Sequence, residues 1–469
     1  MTNTPDIKKI NRKRTMVLFL NIFLNLAGFA IILPLGPAIM QHYVELSQST
    51  GGSSMLTAWI RFSEEMAKLI GHENPVHITQ VFFGCMLGAL YALGQFLFAP
   101  FWGRLSDRFG RRPILLVTII GTGLSYIIWF FAGTFELFII SRALAGIMAG
   151  NLAVSTAAMA DITTRADRAK GMGIIGAAFG LGFILGPAIG GISSQFNFLQ
   201  YFPSLGAYGV SPFSMPALIA CALCVLNLIW IMTKFPETLE ESQRGQSDVL
   251  TWKDRILGMF VQGTRPIRLT NKIYLCYIIV FSGMEFTLPF LASERFGYSP
   301  KANGYLFVYI GFVLVFVQGF LVRKLAAPFG EKNLALIGNV SGLISFLIIS
   351  LTHSENLFFL GCAFLALSVG LVTPSLSALV SLFSDERNQG RYLGLFRSAG
   401  SLARVLGPVT AALLFFYFGA RETYLFAAGL LILPVFMIFF VPEPKKMTLR
   451  QGVTLPEENE EISVSVRQD

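Results

Sequence analysis

Gly173-Ile-Ile-Gly-Ala-Ala-Phe-Gly-Leu-Gly-Phe-Ile-Leu-Gly-Pro-Ala-Ile-Gly-Gly191 returns in weaker form near the end of the chain, as Gly394-Leu-Phe-Arg-Ser-Ala-Gly-Ser-Leu-Ala-Arg-Val-Leu-Gly-Pro408. At an offset of 221, Gly173, Ala178, Leu181, Leu185, Gly186 and Pro187 fall on Gly394, Ala399, Leu402, Leu406, Gly407 and Pro408. The chain is built twice. Between the copies one chemical change matters: Arg397 stands where the first copy has Gly176, and Arg404 where it has Phe183.

Around this repeat the chain holds far more apolar surface than a soluble core could hide. Of 469 residues, 54% are hydrophobic and only 13% charged, with a mean hydropathy of +0.63. Such a composition describes a polytopic membrane protein. Apolar runs long enough to span occur near 16–40, 79–101, 114–132, 136–158, 172–194, 213–233, 272–291, 303–322, 334–352, 356–383, 392–418 and 423–441, twelve in all. The first run follows Lys8, Lys9, Arg12, Lys13 and Arg14, is too long for a signal-peptide core and lacks a cleavage-like end, so it is read as a retained helix.

Two connections are long, the first loop at 41–79 and the middle one at 234–271. The expected organisation is an N-terminal segment 1–15, a six-helix bundle 16–233, a linker 234–271, a second six-helix bundle 272–441 and a tail 442–469. Both halves end alike, in Phe235-Pro236-Glu237-Thr238 and Val441-Pro442-Glu443. Two like-oriented copies imply parallel repeats facing each other across a central path. The fold class is therefore an all-α membrane protein of twelve transmembrane helices in two pseudo-symmetric bundles.

The formal charge of +9 acquires meaning only by position. With the N-terminus inside, cytoplasmic segments carry 28 of the 36 lysines and arginines, outer segments 5, and three lie within helices. That asymmetry places both termini and the linker in the cytoplasm of a plasma or inner membrane, and it removes the case for nucleic-acid binding. The five cysteines sit in apolar runs, and Cys221-x-x-Cys224 has no histidine or acidic companion, so neither a disulfide framework nor a metal site is implied. The four histidines fall on the outer side and are read as surface residues. No Gly-x4-Gly-Lys-Ser/Thr loop and no Ser/His/Asp constellation occurs, which argues against an ATP-driven pump and an enzyme, and no cofactor is expected. The outer-loop stretch Met55–Ile70 has a helical apolar spacing and is expected at the membrane surface or over the entrance; the acidic tail after Pro444 has no such period.

Charges inside the spans locate a pathway. A charged side chain at mid-bilayer costs roughly 2.5–3.5 kcal/mol on insertion scales and so faces a cavity or a partner. Arg397 and Arg404, seven apart, share a face of helix 11; Glu285 lies near the middle of helix 7; Arg142 lies a third of the way in from outside on helix 4. With Glu285 the sole mid-depth acid, the interior carries surplus positive charge, which suits carboxylate, sulfate or phosphate oxygens. An alternative is that an arginine pairs with Glu285 merely to satisfy burial.

The loop after helix 2, Gly103-Arg-Leu-Ser-Asp107-Arg108-Phe-Gly110-Arg111-Arg112-Pro113, combines glycines for close approach and a tight turn with an acid able to act on a helix N-terminus or an arginine across the half-interface. It resembles the signature loop of the major facilitator superfamily. Arg142-Ala-Leu-Ala-Gly146 resembles that family's helix-4 motif, and Gly186-Pro187-x-x-Gly190-Gly191 the helix-5 antiporter motif of its drug exporters. A narrower resemblance, through Phe281-Ser-Gly-Met-Glu285-Phe-Thr-Leu, Gly150-Asn151-Leu-Ala-Val-Ser-Thr and Leu395–Arg404, is to the tetracycline transporter-like proteins, a branch associated with organic-anion transport.

What the resemblance implies is a monomeric, alternating-access carrier that exports organic anions or amphipathic drugs by proton antiport. Its central site would lie among helices 1, 4, 7, 10 and 11, where Asn21, Asn25, Asn151 and Glu285 should converge. One departure bears on coupling: several drug–proton exporters place an acid at about Asn25, and an amide carries no proton. An uncoupled facilitator or uptake carrier for an anionic metabolite is the alternative within transport, and a non-transporting scaffold or receptor the alternative outside it. Gly173, Gly176, Gly180, Gly186 and Gly190 are read as a thin packing ridge, with Pro187 as a kink point and Gly191 completing the antiporter-like motif.

Overall fold

The computed structural model describes residues 5–49, 55–71, 75–163, 168–239, 241, 244–245, 252–385 and 388–443; the tail after Pro444 lies outside them. Every regular element among these is helical. Spans long and apolar enough to cross a membrane run Lys13–Leu46, Val76–Phe109, Arg111–Phe130, Phe135–Ile162, Ile174–Tyr201, Ser214–Lys234, Arg265–Phe296, Pro300–Leu321, Pro328–Leu351, Glu355–Leu382 and Gln389–Phe439. These are eleven among the described residues, and the last, 51 residues long, is two helices joined across a kink. Gly419 breaks it with φ 84° and ψ −178°, and residues 407–414 and 423–430 line one common cavity, which requires the chain to double back. We number the crossings helices 1–12. Leu226, Ile229 and Met232 on helix 6, each 52–56% exposed, are typical of outward faces that only lipid can cover.

Several helices outrun their hydropathy. Helix 1 was expected to stop at Met40, but the α-helical segment Gly36–Ser49 continues because Ile39, Met40, Tyr43 and Val44 form one buried face, and the Tyr43 hydroxyl donates to the Ala132 carbonyl at 2.6 Å. Between its two segments a 3-10 turn, Leu33–Leu35, accommodates Pro34. Helix 4 is likewise two pieces, Phe135–Met148 and Asn151–Ile162. The loop helix Met55–Leu69 packs Met66 against the first core and leaves Phe62 and Leu69 exposed.

The repeat is visible in detail. Gly110 (φ 102°) turns the chain between helices 2 and 3, and Gly330 (φ 74°) does so between helices 8 and 9. The Ser141 hydroxyl donates to the Ser125 carbonyl across helices 3 and 4; the Ser345 hydroxyl donates to the Gly361 carbonyl across helices 9 and 10. One apolar core gathers side chains from Val17 to Phe235 with a few from helices 7 and 11; another runs from Ile267 to Val441.

Candidate functional site

The two ends of the molecule differ. At the end opposite the basic loops, helices of the two halves touch. A Cβ on Gly84 or Gly88 of helix 2 would lie 2.5 Å from the Phe290 or Phe286 ring of helix 7. Gly191 of helix 5 sits against Pro300 and Gly304 of helix 8, 2.8 Å and 3.0 Å from its would-be Cβ. His77 Nε2 lies 3.1 Å from a Glu294 carboxylate oxygen, an approach that becomes an ion pair when the imidazole is protonated. At the basic end the matching glycines face open space: Gly103 on helix 2, Gly176 on helix 5, Gly319 on helix 8 and Gly394 on helix 11 have nothing within 4 Å of a would-be Cβ. The central path is thus open toward the basic end and closed at the other.

The antiporter-like stretch divides along this line. Gly186 and Gly190 of the expected ridge press on the backbone of helix 1 at Ala27 and Ile31, joined there by Gly182, which the spacing did not single out, whereas Gly176 is open and Gly180 meets Gln318 only at 4.0 Å. Opposite them helix 8 passes through a π-helical turn, Val317–Leu321, that carries Gln318 and Gly319.

Among the described residues the Asp107 loop makes no bond across the halves in this state. Arg111 is buried and bridges Asp107, the Ser106 hydroxyl at 2.7 Å and Asp161 at 2.9 Å, all within the first half. Glu237 accepts from the backbone N–H of Arg111 at 2.8 Å and of Arg112 at 3.1 Å, capping helix 3. Arg108 is exposed beside Phe109. A cross-half latch requires the basic end to be shut, and here it is open. Glu237 was not singled out from the sequence, although the repeated Pro-Glu after helices 6 and 12 carried the signal.

Inside the path, Arg142 is 4% exposed and surrounded by the rings of Trp129 at 4.8 Å, Phe138 at 5.6 Å and Tyr126 at 6.0 Å. One of its amino groups donates to the Ser141 hydroxyl at 2.9 Å, while its Nε has no partner. Aromatic faces stabilise a desolvated guanidinium by about 2 kcal/mol, less than a carboxylate would. With Phe29, Tyr91, Phe286 and Phe290, Arg142 lines a cavity of about 50 Å³ at the closed end, room for a few water molecules.

Glu285 is 5% exposed and is held by no hydrogen bond or ion pair among the described residues. Pro289, four residues on, lacks the N–H that would bond the Glu285 carbonyl, loosening helix 7 there. The charge of Arg404 reaches Glu285, Tyr91 and Tyr274, yet Arg404 forms no ion pair or hydrogen bond among the described residues. Burial satisfied by pairing with Glu285 therefore does not describe Arg404. Arg397 is exposed toward the open end, next in sequence to Phe396, whose ring stacks on Tyr274.

The asparagines do not join Glu285. Asn21 donates to Asn151 at 2.9 Å and to Ser155 at 2.7 Å, Asn151 donates back at 3.2 Å, and Asn227 reaches the Asn21 carbonyl at 3.4 Å. This fully buried cluster ties helices 1, 4 and 6 within one half, and Asn25 stands a turn away, half-buried. Asn21→Leu is expected to lower stability by about 1–3 kcal/mol, because it strands the amide of Asn151. The melting temperature of the purified protein measures this, and an unchanged value would contradict the clamp.

Comparison with known proteins gives four concordant findings. The family profile described as Major Facilitator Superfamily matches residues 18–352 and 320–458. Major facilitator superfamily domain-containing protein 10 of Bos taurus is 32% identical over 471 residues, covering 96% of this chain and 98% of that protein. Tetracycline resistance protein, class B, of Escherichia coli is 31% identical over 340 residues, covering 71% and 79%. Among solved structures, that of the human organic anion transporter MFSD10 (TETRAN) aligns with a TM-score of 0.71 at 30% identity, covering 91% of this chain and 99% of that one.

Proposed function

Because the chain belongs to the major facilitator superfamily, a family of membrane transporters and not of enzymes, we propose that it carries organic anions or amphipathic drugs outward by alternating access. The observation that carries this reading is the unmatched positive charge of the path: among the described residues Arg404 has no bonded partner, Arg142 sits in an aromatic cage, and Glu285, within reach of the Arg404 charge, forms no ion pair. A guanidinium offers an oxyanion paired N–H donors in a site that excludes most water. The kinship with a protein described as an organic anion transporter supports the substrate class, and kinship with tetracycline resistance proteins supports export.

With the basic end in the cytoplasm, both termini inside and a single copy of the chain in a plasma or inner membrane, the structure corresponds to the inward-facing state. The two six-helix units rock about the path. Substrate enters from the cytoplasm and meets Arg397, then Arg404. Glu285 carries the exchanged proton: in its neutral form it leaves Arg404 to the anion, and in its ionised form it competes with the anion for that charge.

Proteoliposome flux with and without an imposed pH gradient tests the coupling. Glu285→Gln, fixed in the neutral form, is expected to keep substrate binding but to lose acceleration by the gradient. Between Lys13 and Met40 helix 1 carries amides at Asn21 and Asn25 and no acid, which favours an uncoupled carrier as the second reading. Gradient-independent transport in both wild type and Glu285→Gln would select it.

A further inference from the structure

Tyr274 of helix 7 occupies a position that its sequence context does not advertise. Its ring stacks on Phe396 of helix 11, with centroids 3.9 Å apart and planes at 19°. Its edge lies over Gly400: a Cβ there would be 2.7 Å from Tyr274 Cε1 and 3.2 Å from its hydroxyl oxygen. Gly400 is three residues after Arg397 and four before Arg404, so the three share one face of helix 11. The hydroxyl therefore sits on the arginine face, between the two guanidinium-bearing turns. Both arginine charges act on this ring.

Two further observations indicate a built position. Among the described residues the Tyr274 hydroxyl makes no hydrogen bond, and in a half-buried side chain it keeps accessible surface with which to donate one. Behind the ring, the linker helix Trp252–Val261 closes a small apolar cluster in which Met259, Leu395 and Ala399 are at most 1% exposed and Ile256, Phe260 and Tyr392 pack against them with Tyr274. Asn271 anchors that helix by donating to the Met259 carbonyl at 3.1 Å. The ring is held from behind while its hydroxyl remains available in front.

We infer that Tyr274 is a substrate-positioning residue: its hydroxyl donates a hydrogen bond to an oxygen of the anion held between Arg397 and Arg404, and Gly400 is the glycine that lets it reach. This deepens the anion reading above and rests on it. A phenol adds a directed donor to the diffuse attraction of the arginines, so the site prefers a compact oxyanion head, carboxylate or sulfonate, over a delocalised anion without a localised acceptor.

The test is proteoliposome flux of fluorescein and naphthalenesulfonate by wild type, Tyr274→Phe, Gly400→Ala and Arg404→Ala, with KM and kcat resolved and the melting temperature of each variant recorded. Tyr274→Phe keeps the ring and its stacking and is expected to raise KM about tenfold or more with kcat and melting temperature unchanged. Gly400→Ala, which displaces the ring, is expected to raise KM in the same direction. An unchanged KM in Tyr274→Phe beside a large loss in Arg404→Ala overturns the tyrosine assignment and leaves the anion reading standing. A lowered melting temperature or a kcat effect alone marks a structural role and also overturns it. Wild-type flux in Arg404→Ala, or no flux of either probe in wild type, overturns both.

Discussion

Arg404→Ala is expected to raise KM for anionic amphiphiles by about tenfold to a hundredfold, the range that follows from losing a charge-assisted hydrogen-bonded pair of about 1.5–3 kcal/mol. Melting temperature should change little, since Arg404 holds no hydrogen bond or ion pair among the described residues and its removal strands no carboxylate in such a pair. That combination separates a substrate role from a structural one. Arg404→Lys should recover only part of the loss: an ammonium restores the charge but not the planar fork that fits an oxyanion. Concentration-dependent flux together with thermal unfolding of the purified variants checks all three statements. An alanine variant with wild-type KM would remove the arginine from the substrate path.

Gly190→Val should prevent the protein from folding, whereas Gly176→Val, fourteen positions earlier in the same helix, should fold normally and fail to transport. A Cβ on Gly190 would sit 2.0 Å from the Ile31 carbonyl oxygen, at the point where helix 1 gives way to its 3-10 turn, and Gly186 is nearly as close to Ala27. Backbone cannot yield there as a flexible side chain could, so helices 1 and 5 would have to separate. In a membrane, helix association depends on such close packing of small residues. At Gly176 nothing lies within 4 Å. A valine there costs nothing in this state and obstructs the basic end when it shuts. Yield and monodispersity after detergent extraction, with flux for the variant that survives, distinguish the two; equal yields would mean that the ridge does not hold the first half together.

Much of this was legible in the residues, for physical reasons that also mark where legibility ended. Long apolar runs are the strongest signal a chain can carry, and the repeat of the glycine stretch made the two halves evident before any coordinates. Helix 1 outran its run because Gln41, His42 and Glu45 lower the mean hydropathy while Tyr43 and Val44 still face the core. Intramembrane charge drew notice to Arg142, Glu285, Arg397 and Arg404. Asn21 and Asn151 looked equally polar, yet they satisfy each other, and only geometry separates a polar group that is paired from one that is waiting. Tyr91 and Tyr274 carried no signal, being two aromatic residues among many, and the approach of His77 to Glu294 joins positions far apart in the chain. The opening toward the basic end belongs to the state of the molecule. The glycine ridge showed most clearly what a sequence leaves undivided: one half of it is packing and the other half is open surface.

The central claim is that this path selects negative charge. It is tested most directly by proteoliposome flux of labelled anionic and cationic amphiphiles of matched size, with and without a pH gradient. The account predicts preferential transport of the anion, faster under the gradient, and loss of that preference in Arg404→Ala. Preferential transport of the cation, indifferent to Arg397→Ala and Arg404→Ala, would contradict it.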